Sequence, residues 1–165
     1  MKTSGWQGIT TLALFALILC GILVGCRKIS EEPMIIEPGV GVGRVKFGMP
    51  SKEVRKIFGK PDFEMSDSQM TKSLVYNELG LSIYIFKGLV KDITCRGVSG
   101  DPDVKPCTAR TSKGIGIGST REQIIEAYGK PTSDERNILK YESIGATFMV
   151  SEDGMTETML FDQVE

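Results

Sequence analysis

An internal repeat constrains the fold of this chain more than any other sequence feature. Residues 45–61 align without gaps to residues 115–131, which lie 70 positions further along the 165-residue chain. Both segments end in an aromatic residue followed by Gly-Lys-Pro, and their apolar residues share one spacing. Such self-similarity predicts that one structural unit is built twice.

Each copy of the repeat encodes a short helix with its own stop signal. A glycine and then a proline follow the last apolar position, which predicts the end of a helix. In the second copy Ser119 and Glu122 predict a capping box, and in the first copy Pro50 is expected at the first helical position. The matched apolar positions, spaced i, i+3 and i+4, are Val54, Ile57 and Phe58 in the first copy and Ile124, Ala127 and Tyr128 in the second.

Two strands joined by a tight turn are predicted after each helix. They are Leu81–Phe86 and residues 89–95 in the first copy, and residues 146–151 and 155–161 in the second. The expected fold class is therefore α+β, with two tandem repeats of a short helix followed by an antiparallel β-meander and with the helices packed on one face of the sheet. The expected organisation is a signal peptide at 1–25, a lipidated cysteine and flexible tether at 26–42, repeat 1 at 43–98, a linker at 99–112 and repeat 2 at 113–165.

Comparison of the two copies separates the faces of the expected sheet. One face is apolar in both copies and is expected to pack against the helices. The other face is mixed, and in the first copy it includes Tyr84, Phe86 and Val90, which are the candidate partner-binding residues because exposed aromatic side chains often anchor interfaces. Alternatively, the other repeat or the tether covers them. The residues assigned to the apolar face are Leu81, Ile83, Ile85, Leu89 and Ile93, and Ala146, Phe148, Val150, Met155 and Met159.

The amino-terminal segment is typical of an exported lipoprotein. Lys2 precedes an apolar run at residues 9–24, which is short for a bilayer span of roughly 20 residues. The sequence Leu23-Val24-Gly25-Cys26 resembles a bacterial lipobox, which implies a cleaved signal peptide and a Cys26 that carries acyl chains such as palmitate. Arg27, where some lipoproteins have aspartate, resembles the sorting pattern of outer-membrane lipoproteins. The alternative is an uncleaved membrane anchor.

Two cysteines are expected to form a disulfide. Cys20 is lost with the signal peptide and Cys26 is acylated, so Cys95 and Cys107 are what remains of the four cysteines. In an oxidising compartment they are expected to pair, which contributes about 3 kcal/mol in the chain-entropy description. The alternative is two reduced thiols in a reducing compartment or in an unsuitable geometry.

The composition indicates neither catalysis nor nucleic-acid binding. The chain has 20 basic and 21 acidic residues, so it lacks the basic excess of nucleic-acid-binding proteins. It contains no histidine, the side chain that most often transfers protons near neutral pH and binds transition metals. We therefore expect no enzymatic activity, no catalytic residues, no cofactor and no metal site.

The combined pattern resembles the β-lactamase-inhibitor-like fold. An apolar-x-apolar-Gly start, a short helix, Gly-x-Pro and strands occur twice behind a lipobox, and over roughly residues 43–162 the chain is similar to the SmpA/OmlA outer-membrane assembly lipoprotein family. The resemblance implies an extracytoplasmic protein-binding module of the cell envelope that acts as scaffold, assembly factor or inhibitor. Its expected place is the outer membrane facing the periplasm, or the outer face of the cell membrane in a host with one membrane. The alternative is a surface or stress lipoprotein that binds a small ligand or a cell-wall component.

Overall fold

Strands outnumber helices in the part of the chain that the structure describes. The computed structural model describes residues 33–98 and 101–164, which belong to one unit that begins at Glu32. Two short 3-10 turns, Asn77–Leu79 and Glu142–Ile144, accompany the regular elements. In chain order these elements are β1 (Ile35–Glu37), β2 (Gly41–Val42), β3 (Val45–Lys46), α1 (Ser51–Phe58), β4 (Phe63–Met65), β5 (Thr71–Tyr76), β6 (Leu81–Phe86), β7 (Leu89–Arg96), β8 (Arg110–Thr111), α2 (Arg121–Tyr128), β9 (Ser133–Glu135), β10 (Ile138–Tyr141), β11 (Ala146–Val150) and β12 (Thr156–Asp162).

Two antiparallel meanders merge into one sheet of eight strands. Its order is β4-β5-β6-β7-β12-β11-β10-β9, so the last strand of each meander pairs with the last strand of the other. At this junction Ile93 lies opposite Phe161 and Cys95 lies opposite Met159. The pairing satisfies two strand edges whose backbone N–H and C=O groups would otherwise need water or another chain.

The predicted fold class, α+β with two tandem helix-plus-meander repeats, is wrong. In the described ranges the two α-helices have eight residues each, while the strands form an eight-stranded antiparallel sheet and a second sheet, so the fold is mainly β. The prediction did not say how the strands of the two copies pair, whereas hydrogen bonds between β7 and β12 join both halves into one sheet. Alternation of apolar residues identifies a strand and its buried face, but it does not identify the strand's neighbour.

The two helices begin with different caps. Pro50 is the N-cap of α1 and not its first helical residue, and it provides no side-chain cap. Helix α2 has a capping box in which the Thr120 hydroxyl accepts from the Gln123 N–H at 3.2 Å and the Gln123 amide oxygen accepts from the Thr120 N–H at 2.8 Å. The predicted box at Ser119 and Glu122 is thus one residue out of place, because Ser119 is buried in the preceding turn and accepts a backbone N–H there.

A tyrosine from the sheet holds the end of each helix. The Tyr76 hydroxyl donates to the Gly59 carbonyl oxygen at 3.3 Å, and the Tyr141 hydroxyl donates to the Gly129 carbonyl oxygen at 3.0 Å. Both glycines have positive φ, 85° and 78°, with extended ψ, a conformation that side chains with a Cβ rarely adopt. The Gly-Lys-Pro signature therefore ends a helix and turns the chain back towards the sheet.

A second sheet of four short strands has the order β3-β2-β1-β8. Strand β1 pairs antiparallel with β2 and parallel with β8, and Ile36, Val42 and Val45 are fully buried. Ile35–Glu37 and Gly41–Val42 were expected in the flexible tether and Arg110–Thr111 in the linker, but the structure places all three in this sheet. Strands of two or three residues are too short to show a periodicity, which is why the sequence did not reveal them.

The core lies between one face of the large sheet and a layer made by the helices and the small sheet. Val54 of α1 and Ile124 of α2 are fully buried in the same cluster as the strand residues. We call the opposite face of the large sheet the outer face. Of the ten residues predicted on the apolar face, eight are buried, namely Leu81, Ile83, Ile85, Ile93, Ala146, Phe148, Val150 and Met159.

Candidate functional site

Two of the three candidate partner-binding residues lie on the outer face, and the third lies in the core. Tyr84 is partly exposed and Phe86 is 39% exposed, and both alternate with buried residues along β6. Val90 is only 1% exposed and belongs to the core. The assignment of Val90 to the binding face is therefore corrected, and Leu89, which was assigned to the apolar face, is 45% exposed.

A β-bulge between β6 and β7 causes this exchange. Tyr84 pairs with Asp92, but the next pair is Ile85 with Val90, so Lys91 is an extra residue on β7. Because successive side chains of a strand point to opposite faces, one extra residue moves the rest of the strand to the other face. The bulge thus turns Val90 inwards and its neighbour outwards.

The second half carries the same irregularity. The register of β11 and β12 shifts between Met149 and Val150. As a result Thr156 is buried, while Met155, which was predicted in the core, is exposed. Both copies have the bulge, and in both an apolar residue, Leu89 or Met155, lies before it in the chain. Comparison of the copies therefore could not reveal the change of face.

The exposed apolar side chains of the first half form a surface that we call the outer patch. It consists of Phe63 and Met65 from β4, Tyr84 and Phe86 from β6, and Leu89 from β7. Phe63 and Met65 are 60% and 57% exposed. Phe86 lies directly opposite Leu89, and one serine of β5 separates Met65 from Tyr84 in the register. Contiguous exposed apolar groups of this kind mark interaction surfaces.

Charged groups flank the outer patch. Lys87 Nζ lies 5.2 Å from the centroid of the Phe86 ring. Asp92 lies opposite Tyr84 on β6 and opposite Asp162 on β12. Burial, and secondly the charge of Asp162, raise the pKa of Asp92 to about 6, although the adjacent lysine acts in the other direction. The patch therefore borders a carboxyl group that titrates in a physiological pH range.

The sequence did not point to three members of the outer patch. Phe63 and Met65 lie on a three-residue strand directly after the Gly-Lys-Pro signature, where no alternation can be recognised. Leu89 was assigned to the wrong face because the bulge leaves no signal in the pattern. Cross-strand register alone brings these residues beside Tyr84 and Phe86.

The two cysteines that the sequence predicts as a pair lie together in the core. Cys95 and Cys107 are buried, free thiols joined by a hydrogen bond. The Cys107 N–H donates to the Arg96 carbonyl oxygen at 2.8 Å, which fixes the loop before β8 against the end of β7. The hydrogen bond between the thiols lowers the pKa of Cys107 and, together with burial, raises the pKa of Cys95. Their disulfide stays a prediction.

Cys26 and the signal segment lie outside the described residues, so their lipidation stays a prediction. Within residues 33–98 and 101–164, no helix is long and apolar enough to cross a membrane. In the same ranges, no group of three or more cysteine, aspartate or glutamate side chains is placed to hold a metal ion.

Open clefts on the surface have mainly polar linings. One of about 320 Å³ lies between Arg110, Lys113 and Gln123, and another of about 520 Å³ lies along residues 66–72. Sites for small organic ligands are usually enclosed and largely apolar. The outer patch is therefore the surface with the clearest chemical basis for binding.

Comparison with known proteins gives a fold and no family. Neither a protein-family model nor a curated protein sequence matches this chain. A solved cysteine-rich secretory protein from Staphylococcus aureus is similar with a TM-score of 0.51 and 16% identity, over 79% of this chain and 48% of its own. An extracellular protein with an SCP domain from Bacillus anthracis has a TM-score of 0.43 and 11% identity, over 71% of this chain and 44% of its own.

A third solved structure is the DUF4309 family protein YjgB from Bacillus subtilis, with a TM-score of 0.47 and 11% identity, over 76% of this chain and 88% of its own. This chain spans about half the length of the Staphylococcus and Bacillus anthracis proteins. At 16% identity, the similarity to the Staphylococcus protein shows a shared fold alone. The resemblance to the SmpA/OmlA family and the β-lactamase-inhibitor-like fold stays an expectation from the sequence.

Proposed function

We propose that this chain is a membrane-anchored, extracytoplasmic lipoprotein that binds a protein of the cell envelope through the outer patch. The observation that carries the proposal is the exposure of five apolar and aromatic side chains on one face of a sheet whose other face forms the core. Contact of these groups with water is unfavourable, so the binding of a partner that covers them is favoured by the hydrophobic effect.

The outer patch contains the residue types that anchor protein interfaces. Full burial of a Phe, Leu or Met side chain contributes about 1.5–3 kcal/mol. Phe63, Met65, Phe86 and Leu89 are 39% to 60% exposed, so covering each of them would contribute roughly 1 kcal/mol. Tyr84 adds a hydroxyl that can bond to a partner while its ring packs. A rigid sheet presents these groups at little cost in conformational entropy.

The two halves of the sheet differ at this surface. The positions of Tyr84 and Phe86 are taken by Met149 and Ser151 in the second half. The aromatic anchors are thus confined to the first half, although the strands around them are paired in the same way. This difference favours one binding surface per chain and supplies matched control positions.

The anchored location follows from the sequence. The proposed diacylated Cys26 would hold the chain stably on a membrane, because two acyl chains suffice where one is marginal. The shared fold with a secretory protein of Staphylococcus aureus agrees with a place outside the cytoplasm. In a host with two membranes we place the chain on the outer membrane, facing the periplasm.

The test is site-specific photo-crosslinking of the full chain in its own membrane. A photoreactive amino acid replaces Leu89 in one variant and Met155, its counterpart in the second half, in the other. We expect a defined protein adduct from position 89 and little from position 155. Tyr84→Ala should remove the adduct, and Met149→Ala should not, while both variants keep the thermal unfolding of the parent chain.

Three results would contradict the proposal. Equal adducts from both positions would show that the outer patch is not selective. Adducts that contain only glycan or small molecules would favour the alternative of a lipoprotein that binds a wall component or a ligand. An intact mass that retains residues 1–25 without acyl chains would remove the anchor.

A further inference from the structure

The two helices carry opposite charges at equivalent positions. Lys52 and Lys56 of α1 align in the repeat with Glu122 and Glu126 of α2. All four side chains are exposed. The repeat keeps the apolar face of the helix and inverts the charge at these two exposed positions, while Glu53 of α1 and Arg121 of α2 carry the opposite sign.

These four charges point directly away from the sheet. Val54 is the fully buried residue of α1, and Ile124 is the fully buried residue of α2. In an α-helix a residue two positions before or after a given residue lies roughly 160° around the axis, which is nearly the opposite side. The lysine pair therefore stands opposite Val54, and the glutamate pair stands opposite Ile124.

Both helices pack on the same face of the large sheet but in different halves. Each buries its apolar residue in the one core cluster. From the β7–β12 junction outwards, equivalent strands of the two copies follow in the same order on both sides, and β7 and β12 are antiparallel. An approximate two-fold axis through this junction therefore relates the two halves and their helices. One side of the molecule thus presents the Lys52 and Lys56 face of α1 at one end and the Glu122 and Glu126 face of α2 at the other, where Arg110 and Lys113 line a cleft beside Glu126.

Two copies of the chain that face each other with their helix sides can form a two-fold symmetric dimer in two ways. In one, each helix meets the same helix of the other copy, which puts lysines against lysines and glutamates against glutamates. In the other, α1 of each copy meets α2 of its partner, and unlike charges meet at both ends. A closed two-fold contact of this second kind is self-complementary.

We propose that the helix side of this chain binds a second copy, with the Lys52 and Lys56 face of α1 against the Glu122 and Glu126 face of α2 in the partner. Exposed ion pairs are weak, each worth at most about fivefold in affinity. The contact is therefore transient in dilute solution and becomes populated when copies are concentrated on one membrane. That concentration step rests on the proposed lipid anchor, whereas the charge pattern does not.

The test is a charge-exchange cycle in the full chain. A photoreactive amino acid at Ile125, which is exposed on α2 beside the glutamates, reports a covalent dimer in the membrane and with purified chain at rising concentration. Lys56→Glu and Glu126→Lys should each lower the dimer yield several-fold. The two substitutions together should restore it, because the unlike pair is rebuilt in the reversed sense.

The cycle has internal controls. Lys56 also bonds to Glu53 within α1 at 2.9 Å, so Lys56→Glu removes this ion pair as well, and Glu126→Lys in the other helix cannot repair that local change. Lys140→Glu makes the same change of net charge on the outer face and should leave the yield unchanged. Raising the salt concentration from 50 to 500 mM should lower the yield of the parent chain.

The proposal is overturned if no dimer forms in either setting, if the single variants dimerise like the parent, or if the double variant stays low. Intact mass reports acylation independently of these yields. A chain without acyl groups that still dimerises at high concentration would refute the anchor and support the contact, and an acylated chain without dimer would do the reverse.

Discussion

Replacement of Asp92 by asparagine should stabilise this protein at neutral pH. Asp92 is half-buried on the outer face, between Tyr84 on one neighbouring strand and Asp162 on the other. Burial and the charge of Asp162 raise the pKa of Asp92 to about 6, whereas the charge of Lys91 lowers it. The folded state therefore favours the neutral form of Asp92, and the charged form destabilises it at neutral pH.

The size and the sign of the effect follow from linkage. A pKa raised from 3.8 to about 6 corresponds to roughly 3 kcal/mol at about 1.4 kcal/mol for each pH unit. Partial contact with solvent screens the group, so we expect about 1–2 kcal/mol. Between these two pH values the folded state binds more protons than the unfolded state, so stability falls as the pH rises through this window. The destabilisation by the charged Asp92 is complete above about pH 6 and absent below 3.8, the pKa of the group in the unfolded chain.

Urea unfolding of the purified chain at pH 3.5 and pH 7.5 measures this difference. Asp92→Asn should raise the free energy of unfolding at pH 7.5 by about 1–2 kcal/mol and have little effect at pH 3.5. Asp162→Asn removes only the secondary cause of the shift and should give a smaller gain. An equal effect of Asp92→Asn at both pH values, or a loss of stability at pH 7.5, would refute the reasoning.

Three further predictions concern the core and the caps. Mild oxidation should join Cys95 to Cys107 through the hydrogen-bonded thiols, with loss of two hydrogens by mass and a gain of about 3 kcal/mol in denaturant unfolding; two titratable thiols after oxidation would contradict this. Gly80→Ala should cost about 2–4 kcal/mol, because φ is 62° and the added Cβ would press on the Cys107 backbone. The control Gly88→Ala, with a φ of 83° and open space around the added Cβ, should lower the free energy of unfolding by only about 1–2 kcal/mol in the same denaturant experiment. Thr120→Ala should cost about 1 kcal/mol by loss of the α2 capping box, and an unchanged melting temperature would show that the cap is not needed.

Local sequence patterns predicted the individual elements well. The apolar spacing around Val54 and Ile124 marked two helices whose buried faces are as expected. The strand Leu81–Phe86 and its turn into β7 were also recognised. These features depend on interactions between residues a few positions apart, such as helix caps and tight turns, so the local order of residues encodes them.

The candidate site was only partly predictable for the same reason. Tyr84 and Phe86 were recognised on the outer face, because alternation along one strand is a local property. Val90 and Leu89 were exchanged by a bulge, and a bulge depends on how a strand pairs with its neighbour. Phe63 joins the outer patch only through the pairing of β4 with β5.

By itself the sequence determined the repeat, the two short helices, the alternation of the main hairpin strands and the candidate lipobox at Cys26. Only the tertiary structure decided that β7 pairs with β12, that Ile35–Glu37 pairs with Arg110–Thr111 in a second sheet, and that Leu89 faces outwards. The physical reason is that backbone hydrogen bonds between strands are indifferent to the identity of the side chains. Their partners are chosen when the whole chain packs its apolar faces together, and that choice is not written in any short segment.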